Sequence, residues 1–329
     1  MSLAAESYPQ SAYTAVSKSI QNEWTFIQRN IPDMGKHFDT IEDKLANHFI
    51  PALFRQDPPP RELTSQPIRY GGLALPKPTE TADTLYSASC TATDYLADCI
   101  LNRSTFHLED HLGTIKESMK RTKEKNEATF KSTSASLKTS DLLSENQKRS
   151  LSKVGTGRFL AVNPSYLNGF VLTADEFRSG LHIRYDLEPE NLIRNCDGIN
   201  MKGKACHAKF SVDHAFECKT GGHITAAHDD VRDTLFDFFT QTYPASRSMK
   251  EPIVKNDHPQ LPEDAAFVTN GESTIHLNRA NQLRGDIAVQ GFWAKGSLAI
   301  FDVRRCHTNA PSLKKAFSTP AKALANAES

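Results

Sequence analysis

The sequence predicts an α+β or mixed α/β fold, helical first and strand-bearing last, on three observations. Apolar residues recur at helical intervals through the first hundred positions, a tight Cys/His cluster sits near residue 200, and two short apolar runs near the end read as strands. With 329 residues, 38% of them hydrophobic and 24% charged, the chain can bury a core without disulfide staples.

Residues 1–110 are expected to form a helical region. Ala15, Ile20, Trp24, Ile27 and Ile31 suit one face of an amphipathic segment, and Ile41, Leu45, Phe49 and Leu53 repeat every fourth residue until Pro58, Pro59 and Pro60 stop the pattern. Both stripes are assigned to the core. The run from Pro67 to Pro76 contains the pair Gly71 and Gly72 and reads as a turn between packed segments rather than a phosphate cradle. Thr79 to Ile100 suggests another packed helix, whose Cys90 and Cys99 have no ligand partners nearby and count as ordinary buried thiols.

Charge balances only globally. The 39 Lys+Arg match 39 Asp+Glu, yet residues 1–110 carry 9 basic and 14 acidic side chains while residues 111–155 carry 10 and 5. No overall basicity announces a nucleic-acid binder, but the middle block is locally basic. Residues 111–155 therefore read as a basic helical or flexible connector, either a solvated face or a contact for nucleic-acid phosphates. No run approaches the roughly 18 apolar residues of a spanning helix, and the first residues lack a leader pattern. No membrane partner and an intracellular location are expected.

Residues 156–220 are expected to open a second ordered region. Thr173-Ala174-Asp175-Glu176 can form a capping box before Phe177, Leu181 and Ile183, so a short helix should precede Tyr185 and end before Pro189. The cluster follows as Cys196-x9-Cys206-x7-His214-x3-Cys218. Three thiolates and one imidazole are the donors that tetrahedral zinc prefers, and His-x3-Cys sets two of them on one side of a helical turn. Complete ligation by protein leaves no position for water, which favours a structural Zn²⁺ over a catalytic one. The gap after Cys196 exceeds the usual knuckle, so an unliganded Cys196 is the competing reading. His207 is a second imidazole, less suited because adjacent side chains converge poorly.

Residues 221–329 hold the remaining chemistry. Gly221-Gly222-His223 starts a linker, and Ala226 to Phe239 has helical spacing with Val231, Leu235 and Phe238 in one row. His228 and Arg232, and likewise Asp229 and Asp233, stand four apart on that helix. Gly285 to Trp293 and Ala299 to Arg304 read as two strands joined by a polar turn, with Asp286 at the mouth of one and Asp302 within the other. Carboxylates that converge repel unless a cation neutralises them, and Mg²⁺ is a suitable hard partner. Arg304 shares the strand face of Asp302, where a guanidinium could orient a phosphate. Asp229 or Asp233 is the candidate third acid and His228 a positioning group, in a site where the metal activates water for in-line attack on a phosphodiester. The competing reading is an Asp302–Arg304 contact in an inert sheet.

Asn22 to Phe26, Leu63 to Leu75, Leu172 to Tyr185, Cys206 to Gly222, His228 to Asp233 and Gly285 to Val303 occur in an order that resembles a known family. It is the region downstream of the polymerase palm in non-LTR retrotransposon reverse transcriptases, whose tail joins a Cys/His knuckle to a restriction-like endonuclease. The resemblance implies a zinc knuckle on Cys196, Cys206, His214 and Cys218, with residues 199–205 as an insertion. A restriction-endonuclease-like mixed sheet should follow, probed by Mg²⁺ or Mn²⁺ held on Asp286 and Asp302. Arg304 stands where the family carries lysine, and Lys314 or Lys315 are later candidates for that role.

The same resemblance implies DNA as partner, element RNA as a second, association with an upstream polymerase region, and a nuclear place of work. No Tyr-x-Asp-Asp pattern occurs in the chain, so polymerisation is not expected, and the sequence reads as a severed tail. The opposing class is a noncatalytic zinc-supported module that binds nucleic acid or protein, or an inactive remnant of such an element.

Overall fold

In a computed structural model describing residues 1–151, 157–200, 202–243, 247–256 and 282–303, the N-terminal apolar spacing becomes a run of short helices. They are α1 (Ser2–Ser7), α2 (Pro9–Ala15), α3 (Gln21–Asn30), α4 (Asp39–Lys44), α5 (Ile50–Phe54) and α6 (Arg61–Thr64). Single π turns at Val16–Ile20 and Leu45–Phe49 join α2 to α3 and α4 to α5. Leu45, Phe49 and Leu53 are buried, and Ile41 packs against the same core, as the second stripe predicts. The first stripe needs correction: Ile27 and Ile31 are exposed, and Gln28 is buried instead. Fourth-residue spacing from Val16 passes through Ile20 and Trp24 to Gln28. The buried amide is satisfied, donating to the Pro78 carbonyl at 2.6 Å and accepting from Thr81 Oγ1 at 3.4 Å.

The Pro67–Pro76 run is a packed turn, as expected. Gly72 is required there, because a Cβ would lie 1.9 Å from the Gln66 carbonyl oxygen. The Tyr13 hydroxyl donates to the Leu73 carbonyl at 2.8 Å, while Arg61 donates to the Leu75 carbonyl at 2.7 Å and pairs with Glu42 at 2.7 and 3.0 Å. Beyond it run two long helices, α7 (Pro78–Asn102) and α8 (Leu108–Thr139), which pack along each other, with Ser118 Oγ donating to the Ala88 carbonyl at 3.0 Å. The basic segment is thus helical over much of its length and continues, after a turn, as α9 (Glu145–Leu151). Cys99 is buried and Cys90 half-buried, both as free thiols.

After α10 (Arg158–Ala161), the expected capping box opens α11 (Ala174–Tyr185). Thr173 Oγ1 accepts from the Glu176 amide at 3.2 Å, and a Glu176 oxygen accepts from the Thr173 amide at 2.8 Å. This helix buries Phe177, Leu181 and Tyr185 in the same core as Tyr13 and Phe54, so it shares a core with the N-terminal helices. Its His182 Nε2 lies 2.8 Å from the Phe54 carbonyl oxygen, and burial pushes the imidazole below its usual range. Asp186, at φ 55°, ends the helix in a left-handed turn before Pro189.

A first compact unit spans Met1–Leu192, and a second begins at Ile193. The second contains α12 (Val212–Glu217), α13 (His223–Thr242) and the strands β1 (Ser248–Lys250), β2 (Ile253–Asn256), β3 (Gln282–Arg284), β4 (Ile287–Gln290) and β5 (Leu298–Phe301). β1, β4 and β5 form an antiparallel sheet in the order β1-β4-β5, with Met249 opposite Ala288 and Ala288 opposite Ile300. β2 and β3 form a separate antiparallel pair. Ile287, Ala288, Val289 and Ala299 are buried, and Phe239 of α13 packs on Phe301 and Phe292 with ring centres 4.9 and 5.6 Å apart. Among the described residues the protein is therefore mostly helical, with a small three-stranded antiparallel sheet that does not close into a barrel. Among the described residues no helix is long and apolar enough to cross a membrane.

Candidate metal centre

The segment after Ile193 folds into a two-bridge ribbon, with Asn195 opposite Lys209 and Ile199 opposite Ala205. The Cys196 amide donates to the Ala208 carbonyl at 2.8 Å, and the Cys206 amide donates to the Gly198 carbonyl at 2.9 Å. At the tip of this ribbon Asn200 Oδ1 accepts from the Lys202 and Lys204 amides at 3.0 and 2.9 Å. The long gap between the first two cysteines is folded back on itself, and it returns Cys206 to the side of Cys196. Ser211 then caps α12, its hydroxyl accepting from the His214 amide at 3.1 Å. The helix carries His214 and stops at Cys218.

All four predicted donors converge. Cys196 Sγ lies 3.7 Å from Cys218 Sγ, Cys206 Sγ lies 3.6 Å from His214 Nε2, and the four donor atoms fall within 4.8 Å of one another. Cys196 and Cys218 are buried, whereas Cys206 and His214 are half-buried. His207 is exposed and outside the group. The Ala208 amide, with Cys218 and Cys196 close by, holds the Cys206 thiol below its usual range. At Cys196 the Gly198 amide likewise lowers the thiol, but burial and the neighbouring thiols outweigh it and raise it.

A second donor group adjoins the first. Cys196, Asp197 and His223 also have ligand atoms within 4.8 Å of one another, and Asp197 and His223 are both exposed. His223 is not in a linker, as expected, but is the first residue of α13, directly after Gly222 at φ 74°. Two positive-φ glycines complete the turn without further residues. Sequence reasoning missed Asp197 and His223 as donors. The signal that could have found them is the glycine on each side, because Gly198 and Gly221 let the two segments touch through backbone.

The acidic site is arranged differently. α13 places His228 between two carboxylates, with Nε2 3.4 Å from Asp286 Oδ1 and Nδ1 3.3 Å from Asp229 Oδ1. Arg232 lies 3.1 Å from Asp229, 2.9 Å from Asp233 and 3.0 Å from Glu251, and Lys250 lies 3.1 Å from Asp233. The Arg232 hydrogen bond, then that from Lys250, holds the Asp233 carboxyl below its usual range. Asp286 Oδ2 also accepts from the Val303 amide, which fixes the carboxylate at the end of β5. Asp302 stands one residue beyond β5 rather than within it, and is exposed. The strand ends at Phe301, whose carbonyl accepts from the Asp286 amide at 3.0 Å.

His228, Asp229, Asp233 and Asp286 are thus joined in one polar network that includes Arg232. Among the described residues, the groups of three or more donors within a metal's reach are the two built on Cys196. Glu251 and Lys250 are members of the network that sequence reasoning missed, since nothing in spacing links β1 to α13. Arg304, Lys314 and Lys315 lie outside the described residues. Comparison of the chain with family models, curated proteins and solved structures finds no match.

Proposed function

We propose that residues 193–220 are a structural zinc module of a nucleic-acid-binding protein. The observation that carries this reading is the convergence of three sulfurs and one imidazole nitrogen. Tetrahedral zinc, with Zn–S of about 2.3 Å and Zn–N of about 2.0–2.1 Å, sets two sulfurs about 3.8 Å apart and a sulfur and a nitrogen about 3.6 Å apart. The chain holds the two corresponding pairs at 3.7 and 3.6 Å. Bonded sulfurs of a disulfide lie far closer, at about 2.0 Å.

Burial supports a structural role. Among the described residues of 193–220, the buried ones are Cys196, Gly198 and Cys218. A segment without an apolar core needs another source of folding energy, and a bound zinc supplies it by tying the ribbon to α12. Arg194, Lys202, Lys204, Lys209 and Lys219 are exposed on this segment and offer cations to phosphates. Zinc content of the purified chain, followed by DNA and RNA binding at several salt concentrations, tests the proposal. Stoichiometric zinc, with nucleic-acid binding that chelation abolishes, is the expected result. Binding that survives complete metal removal contradicts it.

A second reading is a metal-dependent DNA endonuclease of the restriction-like type, although the sheet is antiparallel where the resemblance implies a mixed one. The contact of His228 with Asp286 favours it, because two residues far apart in the sequence that the retroelement resemblance singles out meet in space. On this reading Mg²⁺ or Mn²⁺ would be held by Asp286 and Asp302 and would neutralise the phosphodiester and activate water. His228 positions the Asp286 carboxylate, and DNA and element RNA are the partners, with the nucleus as the place of action. Plasmid nicking by the chain in Mg²⁺ or Mn²⁺, beside Asp302→Asn, separates the readings. Nicking that the substitution removes supports the endonuclease; equal or absent nicking leaves the zinc-supported binding module.

A further inference from the structure

We infer that Cys196, Asp197 and His223 form a second, solvent-facing metal site that shares the Cys196 sulfur with the four-donor centre and serves as the port for metal entry and release. The inference rests on the zinc reading above. Cys196 is the one donor common to both groups, and all three ligand atoms lie within 4.8 Å of one another. Exposure divides the groups: Cys196 is 1% exposed, while the side chains of Asp197 and His223 are 77% and 49% exposed.

The backbone is built for this approach. A Cβ on Gly198 would lie 2.6 Å from the Thr220 carbonyl oxygen, and a Cβ on Gly221 would lie 2.8 Å from Gly198 Cα. Two glycines therefore let the chain after Cys196 and the chain before α13 meet closely, which sets Asp197 opposite His223. His223 Nε2 and Asp197 Oδ1 are 4.0 Å apart, too far for a hydrogen bond and within reach of a shared ion.

The chemistry fits a transit site. Thiolate, carboxylate and imidazole are all zinc donors, and a three-residue set leaves a position open for water or an incoming carrier. The closed four-donor centre has no such position, so release by simple dissociation strips the ion of several ligands before any replaces them. With Asp197 and His223 adjacent, the ion keeps Cys196 while it exchanges Cys206, His214 and Cys218 for the two exposed donors and water. His223 opens α13, where the helix N-terminus carries a partial positive charge. The same partial charge opposes a dication, which suits brief residence over storage.

The test uses the full chain loaded with zinc, with release followed in excess chromophoric chelator. Asp197→Ala and His223→Ala should each retain the zinc of the four-donor centre and release it about tenfold more slowly, the lower end of what residues around a metal ordinarily contribute. Removing both should slow release little further. Release at the unaltered rate, or faster, overturns the port, and faster release would show that these side chains merely brace the centre. A chain that takes up no zinc overturns the zinc reading as well, and the loading step reveals this before any rate is measured.

Discussion

The Cys/His centre and the acidic site lie in the same unit, and each brings together acidic groups, thiols in one and carboxyls in the other, that repel one another when ionised. At the acidic site every repulsion has a partner within the chain: Arg232 serves Asp229, Asp233 and Glu251, Lys250 serves Asp233, and His228 bridges Asp286 and Asp229. At the Cys/His centre two donor pairs lie 3.7 and 3.6 Å apart, and all four donor atoms fall within 4.8 Å of one another. Thiolates packed in this way repel one another unless a positive charge lies among them. The difference teaches that one cluster is partnered within the chain, whereas the other sets its donors close enough together to coordinate a metal ion.

The largest expected effect comes from breaking the Cys/His centre. Cys218→Ser should remove the zinc and, with it, a binding energy that in structural zinc segments is about 10–16 kcal/mol at neutral pH. Amide hydrogen exchange should show the ribbon bonds from the Cys196 and Cys206 amides lost. Protection that persists in the variant would mean that the segment folds without metal.

Arg232→Ala sharpens the contrast from the other side. It leaves Asp229, Asp233 and Glu251 without the guanidinium they share, so the site should gain affinity for a divalent cation. Manganese binding, read by paramagnetic relaxation, should strengthen relative to the unaltered chain. Unchanged binding would show that Arg232 does not occupy the place of a metal.

Acid should separate the two sites. Zinc is expected to leave first, because falling pH protonates the thiolates and the imidazole that hold it. The Asp233 carboxyl is held below its usual range by Arg232 and then Lys250. A carboxyl depressed on folding contributes stability above its unfolded value and loses it as pH falls through the folded one. Zinc release against pH, compared with the Asp233 carboxyl resonance, should give the metal the higher midpoint; the reverse order contradicts the assignment. The smallest effect is a return of Asp233 toward its ordinary range in Arg232→Ala, seen in the same titration.

Legibility in the sequence followed the range of each interaction. Local signals were clear: the Thr173 capping box, the helix after Pro78, and the fourth-residue stripe through Leu53 all depend on neighbours within a few positions. The stripe through Ile27 failed because burial of Gln28 depends on Pro78 and Thr81, some fifty residues away. The convergence of four Cys/His donors was readable because Cys and His in a short span constrain one another, but the ribbon that closes the long gap was not. Glu251 and Lys250 stayed hidden because only the β1–β4 register brings them to α13 and Asp286.

X-ray absorption at the zinc edge of the purified full chain tests the central claim most directly. One zinc per chain with three sulfurs at about 2.3 Å and one nitrogen at about 2.0–2.1 Å is the predicted result. A shell made of oxygen and nitrogen alone, or a metal-free chain in which the Cys196 and Cys206 amides remain protected, contradicts it.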